Sequence, residues 1–196
     1  MFIIRFAGLI LVLTLFAMSA LIPVAAQAND LPKSGDRFGN WSLTCVALGP
    51  QQTRCGLTQQ VMSKKSGKPV FKLSLAYAKS SDRLLLTAKT PLNVLLPSGV
   101  LLTVDKHKPQ RMRMYQCKRT GCLAVTKVDD ALYAQLIGGK VVEARIWLTL
   151  KGNKVAKLPI KLRLPGVKEG LAALKQDGSG MHEDEVNSML GETPMF

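Results

Sequence analysis

Apolar and polar residues alternate along most of this chain. Phe71, Leu73, Leu75 and Tyr77 fall on one face of an extended segment, with Lys72 and Ser74 on the other. Leu84 and Leu86 repeat the spacing, as do Val100, Leu102 and Val104. Met112 and Met114 alternate with Arg111, Arg113 and Tyr115. Further on, Val142, Ala144, Ile146, Leu148 and Leu150 oppose Val141, Glu143, Arg145, Trp147 and Thr149. Leu158, Ile160, Leu162 and Leu164 then oppose Lys157, Pro159, Lys161 and Arg163. Successive side chains of a strand point to opposite faces, so a period of two predicts half-buried strands. Pro159 cannot donate to a ladder and marks its strand as an edge.

Turn-forming residues punctuate these runs: Leu48-Gly49-Pro50, Lys65 to Pro69, Pro97-Ser98-Gly99, Lys118 to Gly121 and Lys151-Gly152-Asn153. Two helices are predicted. Asp129 can cap one over Asp130–Ile137, stopped by Gly138-Gly139; a second follows Pro165-Gly166 over Val167–Gln176. Many short strands with one or two short helices describe an all-β fold, an antiparallel β-sandwich. Residues 29–176 form that domain, and the polar, Gly-bearing segment from Asp177 to Phe196 is expected to be mobile. Val186, Met189 and Leu190 could make one amphipathic turn within it.

The amino terminus changes the picture. Arg5 precedes an apolar run from Phe6 to Met18, a small-residue stretch and the tripeptide Ala26-Gln27-Ala28. Charge, short apolar core and small-residue exit are the parts of a secretory signal peptide over residues 1–28, with cleavage before Asn29. The competing reading is a membrane anchor, which needs about 20 apolar residues; Pro23 breaks such a helix where signal peptidase needs extended chain. No Cys follows the cleavage region, which argues against lipoprotein processing.

Four cysteines, Cys45, Cys55, Cys117 and Cys122, lie in the exported part. An even number in an oxidising compartment reads as disulfides. Three pairings are possible. Cys45 with Cys55 and Cys117 with Cys122 is favoured because each pair brackets a short polar loop, and each bridge should stabilise by about 2–3 kcal/mol. Neither spacing is CxxC and no His lies close by, so metal binding and thiol redox chemistry are not expected.

Charge is unevenly placed. Between Asn29 and Gln176 there are 26 Lys and Arg against 8 Asp and Glu; beyond Gln176 there are five acids and no Lys or Arg. Such a field favours anionic partners, and an exported chain meets anionic lipid, lipopolysaccharide and polysaccharide before nucleic acid, which is not an expected partner.

Catalytic motifs are missing from the sequence: no GxSxG, no HExxH and no Gly-rich phosphate loop. His107 has Asp105 two residues before it, which could orient an imidazole, but no nucleophile accompanies them. His182 lies in the acidic tail. The reading is therefore non-enzymatic, without cofactor. The most specific surface feature is basic: Lys106, Lys108, Arg111, Arg113, Lys118, Arg119 and Lys127 crowd one predicted hairpin. Within it Arg111, Arg113, Tyr115, Lys118 and Arg119 form the candidate anion site, since guanidinium forks suit phosphate, sulfate and carboxylate. A second basic row is Lys154, Lys157, Lys161 and Arg163. Both rows also fit the wet faces of half-exposed strands.

Five blocks in order resemble the invasion-associated locus B family of exported proteobacterial proteins. They are FGNWSLTC (Phe38 to Cys45), Cys55 after a short polar loop, GVLLTVD (Gly99 to Asp105), YQCKRTGC (Tyr115 to Cys122) and LRLPGVKEGLAAL (Leu162 to Leu174). Asn40 stands where an Asp is common and Val167 where an aromatic is common. The resemblance implies immunoglobulin-like layering, a periplasmic or outer-membrane-associated location and, in some members, a link to host-cell invasion. It implies no catalytic residues. Three functions follow as expectations: an envelope or binding module, an adhesin for anionic glycan or lipopolysaccharide, and a carrier of a small apolar ligand.

Overall fold

The computed structural model describes residues 32–49, 52–79, 81–178 and 180–191. The predicted signal peptide lies outside them. Ten strands follow the alternation: β1 Arg37–Phe38, β2 Trp41–Gly49, β3 Gln52–Met62, β4 Pro69–Tyr77, β5 Leu84–Thr90, β6 Val100–Val104, β7 Gln110–Lys118, β8 Gly121–Val128, β9 Val141–Thr149 and β10 Val155–Arg163. Three α-helices accompany them: α1 Asp130–Gly138, α2 Val167–Asp177 and α3 Glu183–Leu190.

Every strand pairing is antiparallel, in the order β1-β2-β3-β4-β5-β8-β7-β6-β9-β10. The sheet creases at β7. Its first residues pair with β6, Met112 opposite Val100, while Arg113 to Lys118 pair with β8. β7 therefore belongs to both layers of the sandwich. The inner faces fill one core containing Trp41, Leu57, Phe71, Leu73, Leu86, Met112, Ala144, Ile146 and Leu162. Apart from Trp41 and Leu57, these are inward positions of the alternating pattern. Leu150 departs from it: the residue lies beyond β9 and is exposed.

The layers are sealed at their far edge. Gln59 on β3 donates through Nε2 to the Arg163 carbonyl (3.0 Å), and its Oε1 accepts from the Arg163 backbone N–H (3.0 Å). Trp41 Nε1 donates to the same carbonyl (2.8 Å). A primary amide carries donor and acceptor together, so Gln59 completes the backbone pairing of β10, the terminal strand predicted from Pro159. Just beyond, the β1–β2 turn meets the start of α2. Gly166, at φ 97°, sits so close that a Cβ there would lie 2.0 Å from the Phe38 carbonyl oxygen.

Both favoured disulfides are present, Cys45–Cys55 across β2 and β3 and Cys117–Cys122 across β7 and β8. Helix α1 starts as expected: the Asp129 side chain accepts from Leu132 N (2.7 Å). Helix α2 buries Val167, Leu171 and Leu174 in the main core.

The expectation of a mobile tail is corrected for residues 180–191. Met181 forms a parallel bridge with Ala78, and Glu183–Leu190 is helical. Gly191, at φ 73°, caps the helix end. The physical reason is a second, smaller core on the outer face of the first layer. Leu85 and Val125 point away from the main core yet are buried, packed with Ala76, Ala78, Met181 and Val186. Val186 is 0% exposed.

Because the two cores share no buried residue, they should respond separately to truncation. Leu86→Ala should lower global stability by about 2–5 kcal/mol in denaturant titration. Val186→Ala should leave the denaturation midpoint nearly unchanged while speeding protease cleavage near residue 180.

Candidate functional site

The crease at β7 creates a groove of about 760 Å³ lined by Leu96, Pro97, Gly99, Arg111, Arg113, Met114, Tyr115, Gln116 and Cys117. Arg111 pairs opposite Leu101 of β6, and Arg113 opposite Val125 of β8. The two guanidinium groups thus come from opposite sides of the crease. The register shifts between Met114 and Gln116, which leaves Tyr115 as an extra residue on β7. Bulges of this kind re-aim a side chain, and here the Tyr115 hydroxyl lies 2.9 Å from Ser188 Oγ on α3.

Each arginine is held at one point. Arg111 donates to the Pro97 carbonyl, and Arg113 donates to the Leu190 carbonyl at 3.1 Å. A guanidinium carries five donors, so a single carbonyl contact positions the fork without exhausting it. Leu96, Pro97 and Met114 give the groove an apolar wall beside these donors. The arrangement suits an anion attached to an apolar body.

The predicted single hairpin of basic residues is divided. Lys106 and Lys108 sit in the β6–β7 turn, whereas Lys118 and Arg119 lie at the β7–β8 turn, at the other end of a nine-residue strand. At about 3.4 Å per residue the two ends are some 27 Å apart. Lys118 lines a neighbouring groove with Arg54, Lys89, Thr120 and Glu185. Arg119 is exposed at the turn and lines neither groove. Arg111, Arg113 and Tyr115 therefore come together, and Lys118 and Arg119 do not join them.

Sequence reasoning missed the apolar wall and the role of α3. Helix α3 lies along the outer face with two ion pairs, Glu183 to Arg83 and Glu185 to Arg54. Arg83 also donates to Asn187 Oδ1 (2.8 Å). Beneath the helix, Lys72 is pushed below the ordinary lysine range, by burial first and by neighbouring Lys89 second. A usable signal existed: three leucines in a row at 84–86 break the alternation, as strands covered on both faces do.

Asp105 does not orient His107. Its two carboxylate oxygens accept from the backbone N–H groups of Lys140 and Val141, both at 3.0 Å. These bonds hold its carboxyl below the usual aspartate range, with His107 and Lys140 adding smaller pulls the same way. Cys45, Cys55 and Asp177 bring metal-type ligand atoms within 4.8 Å of one another. Both sulfurs are joined in a disulfide, however, and thiolate is the ligand form.

A sequence profile described as "Invasion associated locus B (IalB) protein" matches residues 41–175. Among solved structures, the crystal structure of invasion associated protein B from Bartonella henselae superposes with a TM-score of 0.60 at 21% identity. The match covers 71% of this chain and 94% of that one, and it shows the shared fold. No curated protein sequence matches. Helix α3 lies beyond the matched residues.

The Asp105 contacts have a pH signature. A carboxylate whose native pKa is depressed stabilises the fold fully above its unfolded value of about 3.9. That stabilisation disappears as pH falls through the lower native value. The stability gap between wild type and Asp105→Asn should therefore be constant from neutral pH down to about 4 and shrink below it. Urea titrations across that range would measure it; a gap independent of pH would refute the assignment.

Proposed function

The chain belongs to the invasion associated locus B family, and from that premise we propose that it is an exported, non-enzymatic envelope module that binds an anionic amphiphile in the crease groove. The observation that carries this reading is the meeting of Arg111, Arg113 and Tyr115 with the apolar wall of Leu96, Pro97 and Met114. Two disulfides support export, because such bridges persist in oxidising compartments. The candidate ligands are the anionic groups of lipopolysaccharide, another anionic lipid or a sulfated or carboxylated glycan.

Two features favour a built groove over undirected attraction by net charge. The arginines are fixed by carbonyls of Pro97 and Leu190, so less side-chain freedom is lost on binding. Tyr115 and Met114 offer contact to the non-charged part of a ligand. Exposed ion pairs contribute only about 0–1 kcal/mol each, so affinity comes from several contacts together and falls with salt. Invasion is the property named for the Bartonella protein; for this chain it is one setting in which a surface-anion module could serve.

Arg111→Ala with Arg113→Ala should weaken retention on lipopolysaccharide or heparin more than Lys64→Ala with Lys65→Ala, although each pair removes two charges. Arg→Lys at both groove positions should recover only part of the loss, because an ammonium lacks the fork. Equal losses from the two alanine pairs would reduce the interaction to net charge. Helix α3 holds Arg113 through the Leu190 carbonyl and Tyr115 through Ser188, so it is part of what preorganises the groove. Glu183→Gln with Glu185→Gln, which removes the ion pairs to Arg83 and Arg54, should lower retention even though it removes two negative charges. Unchanged or raised retention would free the helix from that role.

A further inference from the structure

One end of the sandwich exposes aliphatic side chains. Leu92 is 56% exposed, Leu150 47% and Val155 52%. Separately such residues are ordinary on a protein surface, but backbone pairing brings these three to one hairpin end, with Val155 on the Thr149 face and Leu150 on the other. Asn93, next to Leu92, accepts from Thr149 N through its carbonyl (2.7 Å), and its side chain donates to the Thr149 carbonyl (3.4 Å). Val155 pairs directly with Thr149, and Leu150 N donates to the Lys154 carbonyl (2.7 Å). Leu92, Leu150 and Val155 thus crown the turn between β9 and β10. Leu96, 46% exposed, stands further back at the mouth of the crease groove.

Lysines surround this crown. Lys151 and Lys154 are in the turn, and Lys157 pairs with half-buried Trp147 just behind it. All three lysines are exposed. Neither contributing segment carries an acid: there is none between Asp82 and Asp105, nor between Glu143 and Glu169. Glu143 lies six residues from Thr149 along β9, about 20 Å away.

We propose that this end of the sandwich is a docking surface for an anionic lipid bilayer, with Leu92, Leu150 and Val155 entering the interface and Lys151, Lys154 and Lys157 at headgroup level. Charge complementarity selects the occupant. Interfacial membrane contacts combine an apolar surface with lysines that reach anionic headgroups. Protein interfaces instead concentrate aromatic and Arg anchors and are depleted in Lys. The crown is aliphatic, projects from a turn and has Lys as its only charge. The inference does not depend on the groove: it stands even if Arg111 and Arg113 bind nothing.

The test is co-sedimentation of the full chain with phosphatidylglycerol–phosphatidylcholine vesicles, with pure phosphatidylcholine vesicles as the control. Wild type should bind the mixed vesicles and bind phosphatidylcholine far more weakly. Leu92→Ser with Leu150→Ser, both exposed and so compatible with folding, should lower vesicle affinity by about tenfold or more, given the apolar area withdrawn from the interface. Lys151→Gln with Lys154→Gln should remove most of the dependence on phosphatidylglycerol. The leucine double, which leaves the charge unchanged, should keep wild-type retention on heparin, so loss of the crown is distinguishable from loss of the groove. Vesicle affinity unchanged in the leucine double overturns the proposal. So does a wild-type dimer that the leucine double converts to monomer without loss of vesicle binding, which would make the crown a self-contact.

Discussion

A single side chain closes this molecule. Gln59 satisfies both backbone groups of Arg163, and Trp41 adds a second donor to the same carbonyl. A buried backbone group left unpaired costs about 1–3 kcal/mol, and a sheet folded over on itself brings an edge of its last strand against its other layer. Gln59 supplies there what a neighbouring strand would have supplied. With β10 fixed, the chain reaches Leu164 and the tight Gly166 turn in the right place, and α2 can cover the open end of the core. The crease at β7 follows from the same closure, since two layers joined at one edge must be made from one bending sheet. The groove with its two arginines lies along that bend.

Much of this was legible as pattern. Alternation located the inward residues of β4, β6, β9 and β10, because a strand with one wet face has to be written that way, whereas those of β2, β3 and β8, such as Trp41, Leu57 and Ala124, were not read from it. Asp129 and Gly166 marked helix starts, and short cysteine spacings marked local bridges. The crease was not legible. It depends on β7 changing partners after Met112 and on the extra residue at Tyr115, and neither leaves a compositional trace. Leu150 was misplaced because the period continues past the point where the strand ends. The tail was misread for another reason: polar, acidic composition predicts mobility only when nothing receives the few apolar residues. Leu85 and Val125 receive Met181 and Val186, and that socket is visible only once strands β5 and β8 are known to be neighbours.

The candidate site shows the same division. Arg111, Arg113 and Tyr115, grouped by residue type, line one groove. Proximity in sequence then overreached, because an extended strand carries residues apart quickly and Lys118 and Arg119 belong to its far end. The strong positive field of residues 29–176 is therefore not one patch. It is distributed among the groove, the outer face beneath α3 and the β9–β10 turn, each with different apolar company. In the first the company is a wall, in the second an acidic helix of the chain's own, and in the third an exposed crown.

Both disulfides join neighbouring strands of the sheet, and their order along the chain is consecutive, first cysteine with second and third with fourth. For a polypeptide threaded into an oxidising compartment from its amino end, that order matters to assembly. Cys45 and Cys55 arrive with only nine residues between them, long before Cys117 emerges. The first encounter of each thiol is then with its correct partner. In such a compartment, sequential oxidation in order of emergence would give this connectivity with no crossed intermediate for an isomerase to undo.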